Sequence, residues 1–163
     1  MPDIIVVIHN IRSTHNVGSL FRTAEGFGIK KLLISGYSPY PRTAHDTRLP
    51  HVADKATRQI HKTALGAESL VPFEYFTEVD FRSLRKSGYR IVALEQATGS
   101  VSLPHYTPPE KIVLVLGEEV QGISPYLLEQ CDDIVEIPMA GKKESFNVSV
   151  AAGIALYHLS LTP

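Results

Sequence analysis

Apolar residues in this chain fall into two rhythms. The run Asp3–His9 (DIIVVIH) is nearly continuous and β-branched, the pattern of a strand covered on both faces. In the stretch NVGSLFRTAEGFG, Val17, Leu20, Phe21, Ala24 and Phe27 recur at helical spacing, and Lys31–Ser35 (KLLIS) reads as a second strand. Strand, helix and strand in quick succession predict a βαβ unit. Residues 36–66 are the least periodic part, rich in Pro, His and Arg, and read as a long excursion with one short helix. Order returns with SLVPFEYF as a strand. Thr77 then reads as a helix N-cap with Asp80 three residues on, and Gly88 as the stop. RIVALE, IVLVLG and IVEI are three further strands, separated by the loop Gln96–Pro109 and by a short helix at Ser124–Cys131 with Pro125 in its first position. Ser145–Leu159 is the last helix. Val148, Ala152, Ala155 and Leu159 mark one of its faces, yet Val150, Ile154 and Leu156 leave little polar surface elsewhere. A helix apolar almost all round is buried in its own core or in a partner. The sum is one α/β domain, residues 1–163, with a mainly parallel sheet flanked by helices.

Composition changes this picture little, and charge changes it more. The chain has 163 residues, 44% hydrophobic and 20% charged, with one cysteine. Cys131 alone excludes an internal disulfide and a cysteine-built zinc site, and the scattered histidines show no metal-ligand spacing, so no metal is expected. The opening residues lack a basic start, and IIVVI is too short for a signal peptide or membrane span, so a cytoplasmic protein without membrane contact is expected. Net charge is −1, but it is unevenly spread: residues 1–66 hold nine Lys/Arg against four acids, and residues 67–163 hold seven against thirteen. Such a basic half can hold phosphates, or can be an ordinary solvated surface.

Three loops that follow strands carry the candidate chemistry, since ligands of parallel sheets collect at carboxyl ends. They are HNIRSTHNVGSLFR, LGEEVQGIS and IPMAGKKESFN. None holds a dinucleotide fingerprint, a phosphate-binding P-loop, a zinc helix or a serine-hydrolase elbow. Gly117 and Gly122 bracket the Glu118–Glu119 pair, which lets backbone approach a ligand beside a carboxylate, or simply makes a tight turn. Gly141 and Ser145 lead into the amino end of the last helix, where Ser145 or Asn147 serves a ligand or a cap. Arg22 projects from the non-core side of the first helix.

Together the loops resemble the SpoU (TrmH-type) family of RNA 2′-O-ribose methyltransferases, within the knotted SPOUT superfamily. Asn10–Ala24 is similar to the family's first motif, Leu114–Ser124 to its second and Ile137–Gly153 to its third, with Phe146 in place of the usual Leu. KTALGAE at Lys62–Glu68 is also seen in the family. The resemblance implies a deep C-terminal trefoil knot, bound S-adenosylmethionine, and a homodimer formed through the knot region and last helix, with sites at the subunit interface. It implies a cofactor pocket lined by Leu94, Glu95, Gly117, Ile137, Met139 and Phe146. It also implies a catalytic group of Arg22, Asn16, Glu119, Ser145 and Asn147, with Arg22 central. A guanidinium stays protonated below a pH of about 12, so the role that suits it is to bind the neighbouring phosphate and stabilise the developing alkoxide.

No amino-terminal RNA-binding domain or basic tail of the kind found in relatives is expected. Target recognition then falls to the domain's own surface, with Arg12, Arg42, Arg48, Lys55, Arg58, Lys142 and Lys143 as candidate phosphate contacts to tRNA or rRNA. Two alternatives are a non-catalytic RNA-binding or cofactor-binding module of the same fold, and an unrelated α/β nucleotide-binding enzyme.

Overall fold

The computed structural model describes residues 2–161. Seven strands form one sheet: β1 (Asp3–His9), β2 (Lys31–Ser35), β3 (Phe73–Phe76), β4 (Arg90–Leu94), β5 (Val101–Ser102), β6 (Lys111–Leu116) and β7 (Asp133–Glu136). Their spatial order is β3-β2-β1-β6-β4-β7-β5, and every pairing is parallel. The helices are α1 (Thr14–Gly26), α2 (Pro50–Ala64), α3 (Phe81–Lys86), α4 (Pro125–Leu128) and α5 (Val148–Leu161).

The continuous apolar runs of β1 and β6 are explained by helices on both faces of the sheet. Ile4, Val6 and Ile8 pack with Leu20 and Phe21 of α1, Ile60 of α2 and Leu159 of α5. The alternate residues Ile5 and Val7 pack on the other side with Phe81 of α3 and Leu127 of α4. Period-two alternation within one strand therefore feeds two separate cores.

Several sequence expectations need correction. The irregular excursion contains a helix of fifteen residues, α2, rather than a short one. Its signal is weak because only Ala53, Ile60 and Ala64 are buried, and it is held mainly by docking against α1. That docking needs Gly18, where a Cβ would collide with Thr63 Oγ1 and the Ile60 carbonyl. The cap of α3 is Asp80, which accepts from Ser83 N at 3.0 Å, and Thr77 lies outside the helix. The loop after β4 also contains β5, two residues long, whose sequence VS is too short for a period to show. The last helix begins at Val148, so Ser145 stays in the preceding loop.

The expectation for that helix divides between its faces. Ala152, Ala155, Leu156 and Leu159 are buried in the domain core, whereas Val150, Ile154, Tyr157 and Leu161 are 37–61% exposed. Among the described residues, no helix is long and apolar enough to cross a membrane.

Two measurements check this packing. Alanine exceeds glycine in helix propensity by about 1 kcal/mol, but overpacking costs about 1–3 kcal/mol, so Gly18→Ala is expected to lower Tm, by up to about 8 °C, in a thermal melt. Burial pushes the Cys131 thiol up to about 11. Alkylation of the native protein at pH 8 is therefore expected to run at least about tenfold slower than in denaturant.

Candidate functional site

The site begins where β1 ends. Asn10 adopts a left-handed backbone (φ 55°). Its Oδ1 accepts from Tyr37 N at 3.1 Å, directly after Gly36, where any Cβ would strike that same oxygen. Ser38 Oγ accepts from Ile11 N at 2.9 Å and donates to the Ile8 carbonyl at 3.1 Å. These contacts pin the β1–α1 turn to the end of β2. Ser13 then caps α1, accepting from Asn16 N at 3.2 Å.

The turn so fixed presents three donors to Glu119. Arg12 N and Ser13 N each lie at 3.4 Å from its carboxylate, and Asn16 Nδ2 donates at 3.1 Å. Burial by itself would raise the Glu119 carboxyl, but hydrogen bonds from backbone N–H groups and Asn16 outweigh it and hold it below the ordinary glutamate range. The far end of the Asn16 amide accepts from Asn147 Nδ2 at 3.2 Å. Asn147 in turn opens α5, its Oδ1 accepting from Ser149 N at 2.9 Å. One side chain, Asn16, thus joins the loop after β6 to the loop after β7.

A second junction stands at the end of β4. Glu95 accepts from Ile123 N at 2.8 Å and from Gln96 N at 2.9 Å. Gln96 Nε2 donates to the Glu144 carbonyl at 2.9 Å. Between these junctions the loop after β6 doubles back through paired bonds between Glu118 and Gly122. Gly117 and Gly122 are both required there. A Cβ at Gly117 would press on Ile123 and Gly122, and one at Gly122 (φ 68°) would meet the Glu95 carboxylate.

The loops after β4, β6 and β7 enclose a cavity of about 540 Å³, with the turn after β1 behind Glu119 and off its wall. Leu94, Glu95, Gly117, Ile137, Met139 and Phe146 all line it, as do Glu119, Ser145 and Asn147. Five carboxylates lie on its wall (Glu95, Glu118, Glu119, Glu136 and Glu144), with no lysine or arginine among them. Gln96, Leu116 and Glu136 also line it without having been singled out from the sequence. Their signal was position, since each stands at or next to the carboxyl end of a strand.

Not every sequence candidate joins this cluster. Arg22 is exposed on α1, off the cavity wall, and has no hydrogen-bond or ion-pair partner among the described residues. Arg12 is at the rim, 3.7 Å from Glu118 and over the Tyr37 ring. Arg48 is engaged within its own loop. Its guanidinium stacks on Tyr40, pairs with Asp46 and donates to the Tyr40 and Pro41 carbonyls, so it holds its own loop together. Arg42 pairs with Asp54 at 2.9 Å, while Lys55 and Arg58 are exposed on α2, and Lys142 and Lys143 on the loop after β7. The described residues contain no group of His, Cys, Asp and Glu able to hold a metal ion.

The low Glu119 value sets a pH dependence. A carboxyl whose folded value lies below its unfolded value contributes stability that is full above the unfolded value, about 4.3, and is lost as pH falls through the folded one. Glu119→Gln is therefore expected to lower Tm by about 2–4 °C at pH 7. The difference from wild type should shrink as melts are taken from pH 5 down to pH 3.

Comparison with known proteins matches the fold and these loops to one family. The family model for "SpoU rRNA Methylase family" matches residues 3–157. The 23S rRNA (guanosine-2′-O-)-methyltransferase RlmB of Nitrosomonas europaea is 34% identical over 158 residues, covering 96% of this chain and 55% of that one. Among solved structures, the A. aeolicus TrmH/SpoU tRNA modifying enzyme superposes with a TM-score of 0.78 at 28% identity, over 98% of this chain and 75% of that one. An AdoMet-bound rRNA methyltransferase from Sinorhizobium meliloti shares the fold at a TM-score of 0.77 and 22% identity, over 96% of this chain and 55% of that one. The chain spans about half the length of the curated relatives it matches. With its parallel sheet and all three strand-end loops inside the matched residues, the chain belongs to the SpoU rRNA methylase family.

Proposed function

We propose that this chain is an S-adenosylmethionine-dependent RNA methyltransferase acting on a ribose 2′-hydroxyl of tRNA or rRNA. The observation that carries the reading is the cavity, whose wall includes the four residues that the family motifs assign to the cofactor, Gly117, Ile137, Met139 and Phe146, together with Leu94 and Glu95 at the end of β4. The residues present fit that group. A volume of about 540 Å³ lies within the usual range of ligand sites, and five lining glutamates, of which Arg12 reaches only Glu118 from the rim, favour a ligand bearing sulfonium and ammonium charge. Leu94, Ile137, Met139 and Phe146 offer apolar contact, and Gly117 lets backbone come close. When bound, the cofactor supplies an activated methyl group with a good leaving group.

The chain's own residues then have to align and stabilise. Asn16, Glu119 and Asn147 form one hydrogen-bonded unit that fixes the rim, and Ser145 adds a hydroxyl to the wall. The same carboxylates repel RNA phosphates, so RNA is held from outside the cavity. Arg12, Arg42, Lys55, Arg58, Lys142 and Lys143 are the proposed contacts, with Arg48 bracing the loop between them. Arg22, unpaired and exposed, is proposed to bind the phosphate beside the acceptor ribose and to stabilise the alkoxide as it forms.

Arg22 lies off the cavity wall, which supports a site completed by a second copy. The uncovered apolar residues Val150, Ile154 and Tyr157 of α5, a helix packed on α1, support a homodimer through that helix and the segment before it. A trefoil knot of the carboxyl-terminal segment belongs to the same reading. β7 lies between β4 and β5, both formed earlier in the chain, which supports threading of the segment that follows it. In this reading residues 1–163 are one methyltransferase domain that acts in the cytosol.

The test is transfer of labelled methyl from S-adenosylmethionine to unmodified total RNA, followed by digestion to nucleosides. The expected result is label in a 2′-O-methyl nucleoside, reduced at least about 100-fold by Arg22→Ala. Label on a base would overturn the ribose assignment, and a binding protein without turnover would give none.

A further inference from the structure

We infer that Gln96 is a positioning residue, the latch that holds the loop after β7 closed over the cavity; the inference rests on the cofactor reading above. Residues 138–146 carry Met139, Ser145 and Phe146 to the cavity wall, yet they belong to no helix or strand. Residues 141–146 are exposed without interruption. Among the described residues, a single hydrogen bond ties this nine-residue stretch to the rest of the domain, from Gln96 Nε2 to the Glu144 carbonyl at 2.9 Å. The next tie is Asn147 to Asn16, at the start of α5. Lys142, Lys143 and Glu144 form no ion pair that would add another.

The latch is anchored where it can act. Glu95 accepts from Gln96 N at 2.9 Å while its other oxygen holds Ile123 N, so the Gln96 backbone is fixed to the end of β4 and to the loop after β6. The side chain then spans the cavity mouth to the third loop. Gln96 is itself exposed, so it contributes little to the core, and its effect falls on the loop's equilibrium between closed and open. A ligand that needs the closed loop binds more weakly in proportion to the closed fraction.

One net hydrogen bond shifts that equilibrium about 2- to 12-fold. Trypsin reads it directly, because the bonds after Lys142 and Lys143 lie beside the latch point. Gln96→Ala and Gln96→Met, the second keeping length without a donor, are both expected to speed trypsin cleavage at Lys142 and Lys143 about 2- to 12-fold without cofactor. Tm should stay unchanged. The Kd for S-adenosylmethionine by calorimetry is expected to rise by a smaller factor, the one by which the closed fraction falls, and saturating cofactor should bring the cleavage rates of all three proteins together. Wild-type cleavage rates in both variants would overturn the latch, and so would faster cleavage in Ala with none in Met, which would assign the effect to bulk. Should the wild-type protein fail to bind S-adenosylmethionine, the cofactor reading falls, and the cleavage comparison without cofactor still decides whether Gln96 holds the loop.

Discussion

Two side chains, Asn16 in the first turn of α1 and Glu95 just after β4, each satisfy polar groups on two loops, and the cavity depends on them. Asn16 gives its amide nitrogen to Glu119 and its oxygen to Asn147. Glu95 gives one oxygen to Ile123 N and the other to Gln96 N. Loops at the end of a parallel sheet have few backbone partners of their own, so such bridging bonds decide where they lie. The two junctions fix the loops after β4, β6 and β7, and those loops become the walls of the cavity.

The charge of the molecule is arranged around the same point. The acidic second half of the chain supplies all five glutamates at the cavity, while the basic first half supplies α2 and the turn that carries Arg12. A near-neutral total therefore conceals two fields of opposite sign, one suited to a small cationic ligand and one to phosphates. Arg48 shows that a basic residue within such a field need not face outward. Stacked on Tyr40 and bonded to two carbonyls, it braces the irregular segment ahead of α2.

The last helix has two unlike faces. Its small residues Ala152 and Ala155 sit fully buried in the domain core, while Val150, Ile154, Tyr157 and Leu161 remain uncovered. A sequence apolar all round cannot be satisfied by one core contact alone. The exposed side of α5 lies beside α1, the helix that carries the unpaired Arg22.

The sequence by itself determined the sheet and the loops that matter. Apolar runs marked β1, β2, β4 and β6, because a strand buried on both faces has to be apolar at nearly every position, and the short run IVEI marked β7. The loop motifs likewise marked the cavity wall, since Gly117 and Gly122 are held to glycine by collisions that any side chain would cause. Tertiary structure alone decided the rest. α2 was obscured because only three of its residues are buried and its dock relies on a missing Cβ at Gly18, an absence that no periodicity displays. Gln96 was passed over because an exposed glutamine carries no local signal; only the fold brings it to the carbonyl of a residue 48 positions away. Arg48 looked like a surface cation for the same reason, its partners being carbonyls that a sequence cannot show.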